Sequence, residues 1–586
     1  MAVLILLRLA HLPHSCRRAI FGLALRVEGY ILSSRMARPT ARTLLCRLTK
    51  KRLTSLAMGF GISVAASWKK DRIIEALTSI KPALPVLLGK CTLEELKACC
   101  RAHGLADRAR SRLQLLGRIL GPTPSKRKDV SSESGAISRQ QMSKIGTRGG
   151  LTYRSLALKH RATGQPVEIR FRASVEFGGR SDRATHNLHP YPGKLLPQVA
   201  AFIIEHLTSP GELVLDPFCG SGTVAVEAAI AGRRCIAMDQ NPFACLLARV
   251  KTTPIPSPEI QRALVDVERQ CAMRQSRKRT NCFWEVERWY PPHHLRNLYR
   301  LRAALDELAK AWSVQLAEFM DVAFLVTARS VSLADPSYSV PVRLCGHRQL
   351  SPVGNRHLHN LYTRSVAGRF EHAVQTAASR MAEFQRLLKG QAISVSVMSG
   401  DTRTEQGWGD VEAASLILTS PPYPGAQKYV RASFPALEWL RYVDGASGLS
   451  ALQRSSVGRE RYNDGEGAFS SEIARGLVES VTLKNRERGV MLHTYFRELT
   501  QCIGMMGRNV NRGGRIAVVV SPNSVTNLPV PTPDITAEIF RAMGWSVELH
   551  LVDDLVTAAQ PSKRHASAGH RITKEHVIIA RRGRAV

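Results

Sequence analysis

The sequence predicts an α/β protein: a parallel sheet interrupted by a helical insertion and preceded by small all-α modules. Three observations predict this. Residues 212–242, ELVLDPFCGSGTVAVEAAIAGRRCIAMDQNP, read as strand, Gly-rich turn, helix and strand. Units of this βαβ kind build parallel sheets. Strand-like runs recur at AISVSVMSGD (392–401), ASLILTSPPY (414–423), GGRIAVVVS (513–521), WSVELHLVDDL (545–555) and EHVIIARR (575–582), with helix-like segments at 491–510 and 534–544. Between the first group and the second, residues 256–390 carry few strand signals and read as helices.

The chain before this sheet differs in kind. Residues 1–35 carry many arginines and a single acid, Glu28, and read as a basic disordered tail or an assigned start that is too early, with Met36 the better one. Residues 36–121 contain an internal repeat. LTKKRLTSLAMGFGI (48–62) is followed by SWKKDRIIEAL (67–77), and CTLEELKACCRAHGL (91–105) by RSRLQLLGRIL (110–120). Leu53 matches Leu96, Gly61 matches Gly104 and Leu77 matches Leu120 at one spacing, without a gap. Each unit reads as helix, Gly turn, extended link and helix, and Thr92 with Glu95 forms a capping box. Basic residues gather at each second helix: Lys69, Lys70 and Arg72, then Arg110 and Arg112. Residues 122–165, rich at first in Gly, Pro, Ser and Lys/Arg, read as a flexible linker to a catalytic domain at 166–586.

Composition narrows the function classes. The formal net charge is +36 over 586 residues, which points to a polyanionic partner, nucleic acid first. The 12 cysteines include no C-x-x-C pair, so a disulfide framework or zinc ribbon is disfavoured and a reducing cytoplasm fits. No apolar run reaches the ~18 residues of a membrane span.

The chemistry sits in two stretches. Asp216-Pro-Phe218-Cys-Gly220-Ser-Gly222-Thr follows an apolar strand and opens a helix. Its glycines let a ligand approach the backbone, and Asp239, at the end of the next strand, can accept both hydroxyls of a ribose. Asp401 ends a third strand, where an acid or amide could meet an adenine. Ser420-Pro421-Pro422-Tyr423 ends a fourth. Its prolines leave carbonyls without competing local N–H groups, so these carbonyls and Ser420 can accept hydrogen bonds from an amino group. Tyr423 is expected to be exposed as a flat face for a base taken out of its stack. Other stretches are weaker. DPSY (335–338) lacks a second proline, WYPPHH (289–294) reads as a helix-start turn, and Cys345, His347, His357 and His359 do not complete a metal site. No Pro-Cys pair is present for cytosine-C5 chemistry.

These motifs resemble those of the amino-group DNA methyltransferases. HNLHPYPGKLLPQ (186–198) is similar to their motif beside the first strand, DPFCGSGT to their cofactor loop, and SPPY to their catalytic motif in its N4-cytosine form; the N6-adenine enzymes more often carry D-P-P-Y. The resemblance implies a Rossmann-like class I methyltransferase sheet. It also implies S-adenosylmethionine as cofactor, held by Asp216, Phe218, Gly220, Gly222, Asp239 and Asp401, with His189, Tyr191 and Lys194 beside it. Ser420, Pro421, Pro422 and Tyr423 go to the target base. The N-terminal repeat resembles the SAP helix–extension–helix module, which assigns Lys69, Lys70, Arg72, Arg110 and Arg112 to duplex DNA. A cytoplasmic restriction-modification role, with a separate endonuclease or defence partner, is what the family suggests. Transfer to adenine N6, to guanine N2 of RNA, or no transfer at all in a vestigial DNA-binding protein, are the alternatives. The long intervals 256–390 and 424–490 depart from a simple family member; either could read the target, and Trp284, Trp289, Arg296 and Arg300 lie in the first.

Overall fold

A computed structural model describes residues 152–175, 182–273, 285–338, 340–344, 352–363, 365–425, 429–459, 462, 467–554 and 573–582, with 49, 50, 53, 54, 57, 64, 67 and 69–79 near the start. The chain divides into two compact units, Met1–Ala136 and Ile137–Val586.

In the first unit, helix Lys70–Ser79 buries Ile73, Ile74 and Leu77, positions that share one helical face, and Leu53 and Ala57 are buried too. Lys69 and Arg72 are exposed at its start and Lys70 is half-buried. The second repeat, with Arg110 and Arg112, lies outside the described residues, as do residues 1–35.

The second unit is built on an eight-stranded sheet in the order β1-β9-β10-β6-β5-β2-β3-β4. The strands are β1 (Val167–Ile169), β2 (Leu213–Asp216), β3 (Arg234–Asp239), β4 (Val395–Ser399), β5 (Ala414–Thr419), β6 (Val510–Val520), β9 (Trp545–Asp554) and β10 (Lys574–Arg582). A separate hairpin pairs β7 (Asn523–Val525) with β8 (Leu528–Val530). All neighbours in the large sheet are parallel except β10, which runs antiparallel between β6 and β9. This is the predicted parallel α/β sheet. The central strands are apolar on both faces, as parallel strands covered on both sides must be. Val214, Leu416, Ala517, Leu549 and Ile579 pack with Val199, Phe202 and Ile203 of helix Pro197–Leu207. Leu213, Leu215, Ile417, Ile516 and Ile578 point the other way, into a core with Tyr495, Phe496, Leu499 and Ile503 of helix Arg486–Arg508. The period of two along each strand therefore assigns each side chain its layer.

Between β3 and β4 stand helices Ser257–Met273, Pro292–Leu308, Val314–Ser330, Pro352–Thr363 and Val366–Leu388. They share one apolar core with Phe243, Leu246, Leu247 and Val250 of helix Pro242–Thr252 and with Leu437 and Trp439 of helix Tyr429–Trp439. The linker expected over 122–165 is shorter than the sequence suggests. Tyr153–Thr163 is a helix, because Thr152 and Ser155 cap it reciprocally and Gly164 closes it at φ +66°. Its His160 and Tyr153 meet His550 and Arg515 of the sheet. A polar, weakly amphipathic segment hides this helix from periodicity alone.

Trp439 is the keystone of the insertion core. It is fully buried, donates Nε1–H to the Tyr290 hydroxyl at 3.1 Å, and lies against Tyr299 and Phe324. Replacing it by alanine is expected to cost about 3–5 kcal/mol in urea unfolding, whereas Trp439→Phe should lose about half of that.

Candidate active site

The strand order reverses at β2: β3 and β4 lie on one side, β5 and β6 on the other. Loops leaving the carboxyl ends of β2 and β5 therefore diverge and open a crevice, the usual ligand position in an open α/β sheet. The two strand ends are tied together across it. Thr419 Oγ1 donates to Asp216 Oδ1 at 2.7 Å, and the Phe218 amide reaches both Thr419 Oγ1 at 3.2 Å and Asp216 Oδ1 at 3.3 Å.

The resulting cleft encloses about 850 Å3 including its open mouth. It is lined by Tyr191, Lys194, Asp216, Phe218, Gly220, Asp239, Asp401, Ser420 and Pro422 among the residues expected from sequence. Gly220 has φ +48° and its amide donates to Asp239 Oδ2 at 2.9 Å, so the loop is folded back onto the acid of β3. The other Asp239 oxygen accepts from the Asn241 amide at 2.8 Å. Ser221 also lines the cleft, and its Oγ is buried with no hydrogen-bond partner. An orphaned hydroxyl, a glycine cradle and two carboxylates fit a ligand rich in hydroxyl, amino and carboxylate groups.

Two expected cofactor residues stand elsewhere. Gly222 does not line the cleft. Its φ is +78°, and a Cβ there would lie 2.8 Å from Ala248 Cα, so the glycine serves close packing of helix Thr223–Ile230 on helix Pro242–Thr252. His189 is buried against Phe243, its Nδ1 2.6 Å from the Pro190 carbonyl, and burial pushes its imidazole down to about 3. It is a neutral packing residue. The segment around it is anchored by His186, whose Nε2 lies 2.7 Å from Glu227 Oε1, with Arg183 on the same carboxylate. Lys194 leaves this segment for the cleft wall, bonded to the His186 carbonyl at 3.0 Å, and burial brings its ammonium down to about 8.

The Ser-Pro-Pro turn is held from behind. Ser420 Oγ donates to the Val519 carbonyl at 3.1 Å, which commits its proton and leaves its lone pairs as acceptors. The Tyr495 hydroxyl donates to the Pro422 carbonyl at 3.0 Å, and Asn523 Nδ2 to the Pro424 carbonyl at 3.1 Å. Pro421 is buried behind the lining. Tyr423 corrects the sequence expectation. It is buried, not exposed, and its hydroxyl pairs with Ser521 Oγ at 3.1 Å. The partner comes from the end of β6, far along the chain, so no local pattern announces it. The aromatics that do line the cleft are Tyr191, Phe218 and Tyr429, the last beside Gly193.

Sequence reasoning missed Thr402, Gln240, Asn241, Ser456 and Val457, all cleft-lining. Asn241 carries a readable signal, since its side chain caps the helix that starts at Pro242. Ser456 and Val457 come from the second long interval and carry none. Of the weaker motifs, DPSY, WYPPHH and His357 have structural roles, and Cys345 and His347 lie outside the described residues. Asp335 of DPSY accepts the Ser337 amide in a tight turn, and His294 of WYPPHH lies 2.5 Å from the Leu361 carbonyl. His357 Nε2 rests on the Ser332 carbonyl, and no metal-binding cluster occurs among the described residues.

The acids under the cleft have a pH consequence. Burial, partly offset by the Thr419 and Phe218 hydrogen bonds, pushes the Asp216 carboxyl up to about 7; burial likewise takes Asp239 up to about 6. An unfolded Asp ionises near pH 4, so between ~4 and ~7 the native state holds a proton the unfolded chain has lost, and stability falls as pH rises. Asp216→Asn keeps the Thr419 acceptor without the charge. It should raise the melting temperature at pH 8 by ~2–5 °C and leave it unchanged at pH 4 in calorimetric scans.

Residues 158–250, which hold the cofactor-loop strand, match the N6_N4_Mtase family, DNA methylase. Over 422 residues the chain is 22% identical to the Type II methyltransferase M.MvaI of Kocuria varians, covering 67% of this chain and 90% of that protein. An 82-residue stretch is 35% identical to the Type II methyltransferase M.MjaII of Methanocaldococcus jannaschii, covering 14% of this chain and 16% of that one. A solved rRNA methyltransferase, aviRa from Streptomyces viridochromogenes, aligns over 67% of this chain and 88% of its own at 11% identity and a TM-score of 0.24. The chain is thus similar to methyltransferases, its match to the DNA methylase family lying at residues 158–250.

Proposed function

We propose that the protein transfers a methyl group from S-adenosylmethionine to the exocyclic amine of a base in duplex DNA, cytosine N4 in preference to adenine N6. The observation that carries this reading is Ser420. Its hydroxyl proton is given to the Val519 carbonyl at the edge of a cleft that also holds the Gly220–Asp239 loop, so toward the cleft it acts as an acceptor. An exocyclic amine is a poor nucleophile because its lone pair is conjugated into the ring. Acceptors that take its N–H groups favour a pyramidal nitrogen and aim its lone pair. When bound, S-adenosylmethionine supplies an electrophilic methyl group on a sulfonium.

The chain's own residues have positional tasks. Asp239 offers its remaining lone pairs to hydroxyls, Ser221 Oγ and Lys194 offer donors to a carboxylate, and Asp216 holds β2 to the catalytic strand through Thr419. Tyr495 holds the Pro422 carbonyl, so the turn stays rigid while the base enters. Catalysis of this kind rests on orientation and electrostatics. The Type II methyltransferases related to this chain support DNA as the substrate. Lys69, Lys70 and Arg72, with Arg110 and Arg112, would then meet phosphates through the SAP-like repeat.

Mass spectrometry of nucleosides from DNA treated with the protein and S-adenosylmethionine tests the reading. N4-methylcytosine is expected, with Ser420→Ala slower by roughly 100-fold. N6-methyladenine would overturn the base, methylation of structured RNA alone the polymer, and no methylation with no cofactor binding the enzyme. The double variant Lys69→Ala/Lys70→Ala should weaken duplex binding, lower the salt dependence by about 2 in slope, and leave the base choice unchanged. Unchanged affinity would refute the DNA-binding role of the repeat.

A further inference from the structure

The loop after β4 and the second long interval are joined by a chain of half-buried charges centred on the buried Glu498. Arg403 forks onto Asp401, with Nε 2.9 Å from Oδ1 and Nη2 2.6 Å from Oδ2. Its Nη2 also donates to the Ser455 carbonyl at 2.6 Å, and Nη1 to Glu498 Oε1 at 2.5 Å. Glu498 is almost fully enclosed, at 4% side-chain exposure, and accepts two further donors: Arg459 Nη1 at 2.9 Å and the Tyr462 hydroxyl at 3.1 Å. The Arg459 guanidinium lies 3.7 Å above the Tyr462 ring centroid.

The far end of this chain rests on the catalytic turn. The Gly458 amide donates to the Tyr462 hydroxyl at 3.1 Å, and the Gly458 carbonyl accepts the Gly425 amide at 3.2 Å. A Cβ on Gly458 would lie 2.8 Å from the Tyr423 carbonyl oxygen, so backbone sits directly on backbone there. Between these contacts, Ser456 and Val457 line the same cleft as Asp401. Glu498 is also one helical turn from Tyr495, which holds Pro422, so one face of helix Arg486–Arg508 braces both the strap and the turn.

We propose that Arg403 is a positioning residue. Through Glu498 it pins the strap Ser455–Arg459 and Tyr462 over the catalytic turn, and through Asp401 it sets the cofactor wall, so that the two halves of the cleft are aligned by one guanidinium. The inference rests on the methyltransferase reading above. The fork geometry requires arginine: a lysine ammonium is a single point that cannot serve two separated carboxylates and a carbonyl in one plane. Burial by itself raises the Asp401 carboxyl, but the Arg403 side-chain and backbone hydrogen bonds bring it below the ordinary carboxylate range, so the wall presents a fixed negative charge.

The test uses the full chain and splits binding from transfer. Glu498→Gln frees the strap and leaves the Asp401 fork. It should change the Kd for S-adenosylmethionine by less than about 2-fold, slow single-turnover transfer at saturating cofactor by about 10-fold or more, and speed tryptic cleavage after Arg459 by about 10-fold. Arg403→Met should show the same slower transfer and faster cleavage and, unlike Glu498→Gln, weaken cofactor binding by about 10-fold, and Arg403→Lys should recover part of the affinity but not the rate. If Glu498→Gln does not fold, as read by its thermal transition, Tyr462→Phe, which removes the hydroxyl bond to Glu498 and keeps the Arg459 cleavage site, carries the same expectation. Wild-type saturated rates together with wild-type cleavage in these variants would overturn the proposal. So would a loss confined to cofactor affinity. A wild-type protein that binds no S-adenosylmethionine would refute the enzymatic reading instead, and the cleavage assay would still report whether Glu498 holds the strap.

Discussion

The hydrogen bond from Thr419 to Asp216 is the constraint on which the site depends. It joins the ends of β2 and β5, the two strands between which the sheet changes direction. Everything carried on the loops beyond them inherits that spacing: the glycine loop and Asp239 on one side, the Ser-Pro-Pro turn on the other. The bond requires a small hydroxyl residue at the last position of β5 and an acid at the last position of β2. Neither could be replaced by an apolar residue of similar size without leaving the other buried with only the Phe218 amide as a partner. The same contact explains why Asp216 tolerates burial with one strong donor and one amide.

A second economy governs the loops. Several groups at the rim of the cleft are held by partners distant in sequence, and each partner leaves one face of the group unused. Ser420 gives its proton to Val519 and keeps its lone pairs, while Pro422 gives its carbonyl to Tyr495 and keeps its ring on the lining. Asp239 takes Gly220 and Asn241, each with one oxygen, and keeps the remaining lone pairs. Groups committed in this way need little reorganisation when a ligand arrives, which is where preorganised sites gain their advantage.

The parts legible in the sequence are those whose cause is local. A glycine loop between an apolar strand and a helix, an acid closing the next strand, and two prolines ending another are each readable within a dozen residues. The parallel sheet follows from their repetition. What escaped depends on pairs far apart in the chain. Tyr423 reads as exposed because two prolines precede it, yet Ser521, at the end of β6, takes its hydroxyl inward. His189 looks like a site residue because it stands in a motif, yet Phe243 supplies an apolar wall and removes its charge. Gly222 looks like a ligand contact, and its true neighbour is Ala248 on the next helix. Arg403 drew no notice at all, since an arginine two residues after an acid is unremarkable until Glu498 is brought beside it.

The two long intervals that interrupt the sheet are therefore not equivalent. The helices between β3 and β4 contribute no lining residue to the cleft among the described residues; they share a core with helix Pro242–Thr252 and helix Tyr429–Trp439, and so buttress the elements that follow the acid of β3 and the catalytic turn. The interval between β5 and β6 places Ser456 and Val457 in the cleft wall and Glu498 behind it. A change in the first is felt at the site only through the packing of Trp439 and its neighbours. A change in the second moves an atom of the wall. If target reading resides in the first interval, it must act on bases flanking the reactive one, because nothing described there reaches the cleft. Of the two intervals, the second alone supplies lining residues to the cleft among the described residues.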